Sequence, residues 1–244
     1  MRLRLREDIP LLLSAYRRRL RRVQSPFVQL SRSIRVYYFD LGLHRTGGQL
    51  RLMLRWFSNL VDLRVYGFEA NPEYFRACAN AFERDRRVTL VNAAVVGPDQ
   101  SKTVRLYLAQ DKHGLGDSLF EERGSSSIEV PSVRLSIFMA GAGINPTKDI
   151  VLIRMNIEGA ELYVLEDLVA ARLVEYIDGY YGRWDDPLRI NRDLASRFAE
   201  MMAKTRIQNF PFNDRDNRAP MRNYAIRYDV TTSIASGARK AQST

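Results

Sequence analysis

The protein has 244 residues, 45% of them hydrophobic, which is enough for one large domain with a sizeable core and too few for two comfortable ones. A single cysteine, Cys78, excludes an internal disulfide and is typical of a reducing compartment. The only histidines are His44 and His113, so a structural zinc site is not expected and we predict no metal site.

The formal net charge of +10 is concentrated towards the ends of the chain. Residues 1–35 contain ten arginines and two acids, and Arg239 and Lys240 add two further charges, so the segment between is nearly neutral. No apolar run approaches the ~18 residues of a membrane span. The short apolar stretch 9–13 is followed by arginines instead of a signal-peptide cleavage site, and we therefore expect a cytoplasmic protein.

The basic N-terminal region, residues 1–33, is predicted to be a helix over 8–23 followed by a linker. The helix has apolar side chains on one face and arginines on the other. Three roles are open: packing on the edge of the domain, with a possible homodimer; peripheral contact with an anionic membrane; and binding to nucleic acid.

The following segment, residues 34–230, alternates short apolar runs with helical patterns. The predicted strands are 34–40, 63–69, 88–95, 149–156, 173–180, 206–210 and 223–228, and the predicted helices are 49–60, 72–84, 158–168 and 189–204. We predict an α/β fold: a mostly parallel seven-stranded sheet with helices on both faces and an antiparallel pair of last strands. Two further extended segments, 103–108 and 128–135, flank a polar loop, and the polar tail 231–244 is predicted to be disordered.

A glycine-bearing turn, Asp40-Leu-Gly42-Leu-His-Arg-Thr-Gly47-Gly48, joins the first strand to the first helix. Glycine lets the backbone approach a ligand closely, and the start of a helix offers free amides. In an open parallel sheet, ligands bind at the carboxyl ends of the strands. The same pattern is also common in turns that bind nothing.

Glu69 ends the second predicted strand, which places an acid where a nucleotide ribose would lie. Both NAD and S-adenosylmethionine carry a ribose diol, so the acid does not distinguish them. The chain has no G-x-G-x-x-G, and Gly42 is not followed two residues later by a second glycine, which favours a cofactor without phosphates.

Two acids, Glu158 and Glu161, follow the predicted strand that ends at Asn156. Because they are three residues apart, they share the first turn of the next helix. They are candidates for a general base and its orienting partner, or they satisfy the free amides of the helix start.

For one histidine and three aromatic residues, the sequence leaves open whether they belong to a functional site. His113, in the polar loop, is a possible general base because imidazole titrates near neutrality, or an exposed loop residue. Tyr180, Tyr181 and Trp184 are candidates for an aromatic wall of a substrate pocket or for core packing.

The run RMNIEGAEL, residues 154–162, resembles the signature of the FkbM-type methyltransferases. The segments YYFDLGLHRTGG, YGFEANPEYF and VTLVNAAVVG resemble the same family in the same order, and Asp117-Ser118-Leu119 resembles its serine-bearing loop. The resemblance covers roughly residues 34–180. It implies a Rossmann-like class I methyltransferase fold that uses S-adenosylmethionine and methylates hydroxyls of small metabolites or saccharides.

The resemblance also implies roles for individual residues. Asn156 and Glu158 would face the transferring methyl group and the substrate. The residues implied to bind the cofactor are Asp40, Gly42, Leu43, His44 and Gly47 of the turn, Glu69 and Ala70 at the ribose, Asn92 and Ala93 near the adenine, and Asn156.

The chain departs from the family pattern at Thr46, where the family has glycine, at Arg154, where it has lysine, and at Asn156, where it has aspartate. An amide cannot act as a base. We therefore keep two alternatives to a small-molecule O-methyltransferase: a methyltransferase-like interaction module without catalysis, and an RNA methyltransferase. The RNA hypothesis is weaker, because ribose methyltransferases of the cap type use a lysine-aspartate-lysine-glutamate tetrad, and none of the five lysines falls at the matching strand ends.

Overall fold

The computed structural model describes residues 30–99, 101–109, 116–120, 126–145, 147–182, 190, 192–205, 209–211 and 219–242. The predicted N-terminal helix, His113 and Trp184 lie outside these residues. The strands are β1 Arg35–Leu41, β2 Asp62–Phe68, β3 Val88–Val91, β4 Ala94–Val96, β5 Thr103–Leu108, β6 Ser126–Arg134, β7 Ile150–Met155, β8 Gly179–Gly182 and β9 Asn209–Pro211. The helices are α1 Gly48–Phe57, α2 Pro72–Phe82, α3 Leu135–Gly141, α4 Glu161–Ala170, α5 Arg192–Thr205 and α6 Ala219–Gln242, with a short 3-10 turn at Val174–Tyr176.

The described strands form a six-stranded sheet in the order β3-β2-β1-β7-β8-β9, and every pairing in it is parallel. The two extended segments around the polar loop are strands, as predicted, and β5 and β6 pair antiparallel in a smaller sheet of order β4-β6-β5. The chain order reverses between β1 and β7, which in an α/β sheet opens a crevice at the carboxyl ends of the strands.

Helices cover both faces of the large sheet, as predicted. In β1, Val36 and Tyr38 pack into the core beneath α1 and α6, whereas Tyr37 and Phe39 pack into the core beneath α3, α4 and α5. Successive side chains of a strand point to opposite faces, so a strand buried on both sides is apolar throughout. This accounts for the uninterrupted apolar run in β1.

The last part of the chain differs from the prediction. The described sheet has six strands instead of seven, β9 runs parallel to β8, and residues 223–228 belong to α6. The predicted disordered tail is wrong for residues 231–242, which continue the same helix. The physical reason is a helical spacing of buried residues, since Ile226, Val230 and Ile234 all pack into the core beneath α1.

No helix within the described ranges is both long enough and apolar enough to cross a membrane.

Candidate functional site

A cavity lies at the carboxyl ends of β1, β2 and β7, between the large sheet and the segment 116–119. It contains about 680 Å³ of empty space, including the part open to solvent. Its walls include Gly42, Glu69 and Asn156 from the large sheet and Ser118 from the loop. The glycine-bearing turn after β1, Glu69 after β2 and the turn after β7, which the sequence singled out, therefore meet at one place.

Gly42 sets the shape of the turn after β1. Its φ is +84°, and a Cβ atom at this position would lie 2.1 Å from the carbonyl oxygen of Asn156. The backbone amide of Asn156 in turn donates to the carbonyl of Leu41 at 3.0 Å. The turn after β1 thus packs directly on the end of β7, an approach that only glycine permits.

Glu69 is the buried carboxylate of the cavity, with 7% of its surface exposed. Its Oε2 accepts a hydrogen bond from the His44 amide at 2.6 Å and its Oε1 accepts one from the Asn71 amide at 2.9 Å. Burial raises the pKa of Glu69 to about 7, the two amides oppose this, and the negative charge of Asp117 adds to it. The fixed carboxylate is an acceptor for ligand hydroxyl groups.

Asn71 and Asp117 attach the loop to this acid. Asn71 caps α2 by accepting from the Glu73 amide, as its position before Pro72 predicts, and its Nδ2 donates to Asp117 at 2.9 Å. Asp117 also accepts from the Ala109 amide at 2.8 Å. The segment 116–119 is therefore anchored beside Glu69.

Asp40 lies beneath the cavity and does not line it. Its Oδ1 pairs with Nη1 of Arg154 at 2.5 Å, and the same nitrogen donates to the Gly42 carbonyl at 3.0 Å. Burial raises the pKa of Asp40, and the charge of Arg154 opposes this. The pair ties β1 to β7 and supports the glycine turn from below.

The acceptor turn, residues 156–161, joins β7 to α4. Glu161 is fully buried, and its two carboxylate oxygens accept from the amides of Ile157 at 3.0 Å and Gly159 at 2.8 Å. Of the two sequence hypotheses for this acid, satisfaction of free amides at the helix start fits the structure. Glu158, by contrast, lines the cavity together with Asn156.

The other predicted cofactor residues divide into two groups. His44, Ala70 and Ala93 line the cavity, together with Gly42, Glu69 and Asn156. Leu43 and Gly47 do not: Leu43 packs into the core beneath α1, and a Cβ at Gly47 would lie 2.7 Å from the Phe82 ring. Asn92 supports the site indirectly, because its Nδ2 donates to the carbonyls of Glu69 and Ala70.

Tyr180 and Tyr181 do not form a pocket wall. Both are buried in the core on opposite faces of β8, and the Tyr181 hydroxyl donates to Ser233 of α6 at 3.2 Å. The apolar run of β8 is explained by burial on both faces.

Several lining residues carried no functional assignment from the sequence. They are Phe68, Tyr74, Leu106, Ser118 and Leu119. The apolar ones have no chemical motif, so only the fold brings them to the cavity. Ser118 was visible within Asp117-Ser118-Leu119, but its contact with the acceptor turn, described below, depends on how the loop folds back.

Comparison with known families gives a match that covers the same region of the chain. The model of the family described as "Methyltransferase FkbM domain" matches residues 44–210, which include Glu69, the loop and the acceptor turn. No curated protein matches the chain.

Proposed function

The chain belongs to the FkbM methyltransferase family, and from this premise we propose that it transfers a methyl group from S-adenosylmethionine to a hydroxyl group of a small molecule or saccharide. The observation that carries the proposal is the buried carboxylate of Glu69 in the wall of the cavity, held by the amides of His44 and Asn71. A buried acid that lines a cavity at the end of β2 suits a ribose diol.

The residues of the cavity fit this cofactor in kind. Glu69 would accept hydrogen bonds from the ribose hydroxyls, Gly42 would border the methionine part, and Phe68 and Ala94 would supply apolar surface for the adenine. No phosphate-binding glycine motif is present in the sequence. When bound, S-adenosylmethionine supplies a methyl group on a positively charged sulfur.

Glu158 and Asn156 are the polar residues of the acceptor turn that line the cavity. In our proposal a carboxylate oxygen of Glu158 would accept the proton of the acceptor hydroxyl, and the hydroxyl oxygen would take the methyl group as the carbon–sulfur bond breaks and S-adenosylhomocysteine leaves. The side-chain amide of Asn156 orients the hydroxyl by hydrogen bonding, which needs no ionisable group. Alignment of the two reactants in the cavity contributes most of the acceleration.

Calorimetric binding of S-adenosylhomocysteine tests the cofactor site. We expect Glu69→Gln to weaken binding by about 10- to 100-fold, because hydrogen bonds to a charged group are worth about 1.5–3 kcal/mol. The matched control is Glu73→Gln, an exposed acid on the first turn of α2. Its affinity is expected to stay within about twofold of the unchanged protein.

The result that overturns the proposal is absence of binding by the unchanged, folded protein at millimolar S-adenosylhomocysteine. That outcome would favour the interaction module instead. Equal losses in Glu69→Gln and Glu73→Gln would remove Glu69 from the site, and thermal unfolding of both variants separates a binding defect from a folding defect.

A further inference from the structure

The Glu158–Gly159 peptide is bound at both of its polar atoms by buried side chains. The Ser118 hydroxyl donates to the carbonyl oxygen of Glu158 at 2.7 Å, and the amide of Gly159 donates to Oε2 of Glu161 at 2.8 Å. Ser118 is 1% exposed and Glu161 is fully buried. Buried polar groups of this kind fix the orientation of the peptide plane.

The backbone at this peptide is strained. Glu158 has a φ of +53° and Gly159 a φ of +112°. A non-glycine residue in the left-handed region costs about 1–2 kcal/mol and persists only where its surroundings hold it. The strain occurs at the acid that lines the cavity.

The loop also closes the space beside Gly159. A Cβ on Gly159 would lie 1.9 Å from Cδ1 of Ile190 and 3.1 Å from the ring of Phe120, so the segment around Ser118 closes this space together with Ile190. The Phe120 amide donates to the Ser118 hydroxyl at 3.3 Å. Ser118 is itself held in place, because its amide and carbonyl both pair with Tyr107 of β5. The backbone pairing with β5 therefore fixes the position from which the Ser118 hydroxyl contacts the acceptor turn.

We propose that Ser118 is a positioning residue of the methyl transfer: its hydroxyl holds the Glu158 carbonyl, keeps the Glu158–Gly159 peptide in its strained orientation and so directs the Glu158 side chain into the cavity. The inference rests on the proposed function, since it assigns Ser118 to the same reaction. It gives the small β4-β6-β5 sheet a role in the site, because Ser118 reaches the turn by pairing with Tyr107 of β5.

Hydrogen exchange resolved at single amides tests this, with and without S-adenosylhomocysteine. In Ser118→Ala the Gly159 amide is expected to exchange about 10-fold faster, because one hydrogen bond that restrains its peptide is lost. Exchange in β1 and β7 is expected to be unchanged. Ser118→Thr keeps the hydroxyl and is expected to restore slow exchange at Gly159.

Ser127→Ala is the matched control. Ser127 pairs with Tyr107 from the other side of β5 and is exposed, so exchange at Gly159 should not change. Unchanged Gly159 exchange in Ser118→Ala, or fast exchange that Ser118→Thr does not restore, would overturn the inference.

Binding of S-adenosylhomocysteine and exchange at Gly159 distinguish a failure of the proposed function from a failure of the role of Ser118. If the unchanged protein does not bind S-adenosylhomocysteine, the cofactor proposal fails while the exchange data without ligand still report on the turn. If it binds with the same affinity in Ser118→Ala and Gly159 exchange is also unchanged, only the role of Ser118 fails.

Discussion

The backbone at Gly42 approaches the Asn156 carbonyl too closely for any side chain. Alanine at this position would combine a φ of +84° with a Cβ 2.1 Å from a backbone oxygen, which can be relieved only by moving β1 or β7. We expect Gly42→Ala to lower the free energy of unfolding by about 2–3 kcal/mol and to weaken binding of S-adenosylhomocysteine. Chemical denaturation and calorimetry measure the two effects.

Gly143→Ala separates strain from contact. Gly143 has a φ of +69°, but a Cβ there meets nothing within 4 Å. This variant should lose only about 1 kcal/mol and bind S-adenosylhomocysteine normally. If the two alanine variants lost equal stability and neither lost affinity, the close approach at Gly42 would contribute neither to stability nor to binding.

Helix α6 contributes to the core through residues beyond the predicted end of the domain. Ile234 is fully buried in the core beneath α1. We expect Ile234→Ala to lower the free energy of unfolding by about 2–5 kcal/mol, because the substitution leaves a cavity between α6 and the sheet. The control with the same chemistry is Ile137→Ala in α3, where the side chain is 63% exposed and the change should be below about 1 kcal/mol. Similar losses at both positions would contradict the packing of α6.

The sequence predicts helices and strands well where one periodicity continues over the whole element. The alternation of strands and helices gave the parallel sheet, and the position of Glu69 after an apolar run gave its place at the cavity. Residues 223–228 fit two patterns at once: Tyr224, Ile226 and Tyr228 alternate as in a strand, whereas Ile226 also begins the helical spacing that continues to Ile234. A window of six residues cannot distinguish these patterns.

The contact of Ser118 with Glu158 could not be predicted for a different reason. The two residues are 40 positions apart, and they meet because the loop pairs with β5 and then packs on the turn after β7. Local patterns report on elements, whereas such a contact depends on how two sheets are placed relative to each other. Leu43 and Gly47 show the opposite limit. Their turn resembles a cofactor-binding turn in sequence, but in the fold Leu43 packs into the core and Gly47 packs against α2.

In the whole molecule, the raised pKa of Glu69 links folding to protonation and, under our proposal, to ligand binding. Burial raises its pKa from 4.5 to about 7 in the folded protein, so between these values the folded chain holds a proton that the unfolded chain has released. The free energy of unfolding therefore falls as the pH rises through this window, by on the order of 3 kcal/mol, and levels off above it. Denaturation curves of the unchanged protein and Glu69→Gln from pH 4.5 to 8 measure the difference.

Glu69→Gln should remove this part of the pH dependence, whereas Glu73→Gln should retain it, because Glu73 is exposed. Asp40, whose pKa burial also raises, contributes equally in all three proteins. Parallel curves for the unchanged protein and Glu69→Gln would contradict the assignment. A ligand whose hydroxyls donate to the ionised carboxylate favours the deprotonated form, so affinity for S-adenosylhomocysteine should rise up to about tenfold per pH unit below pH 7. The same proton is therefore expected to stabilise the fold in acid and, under our proposal, to oppose cofactor binding there.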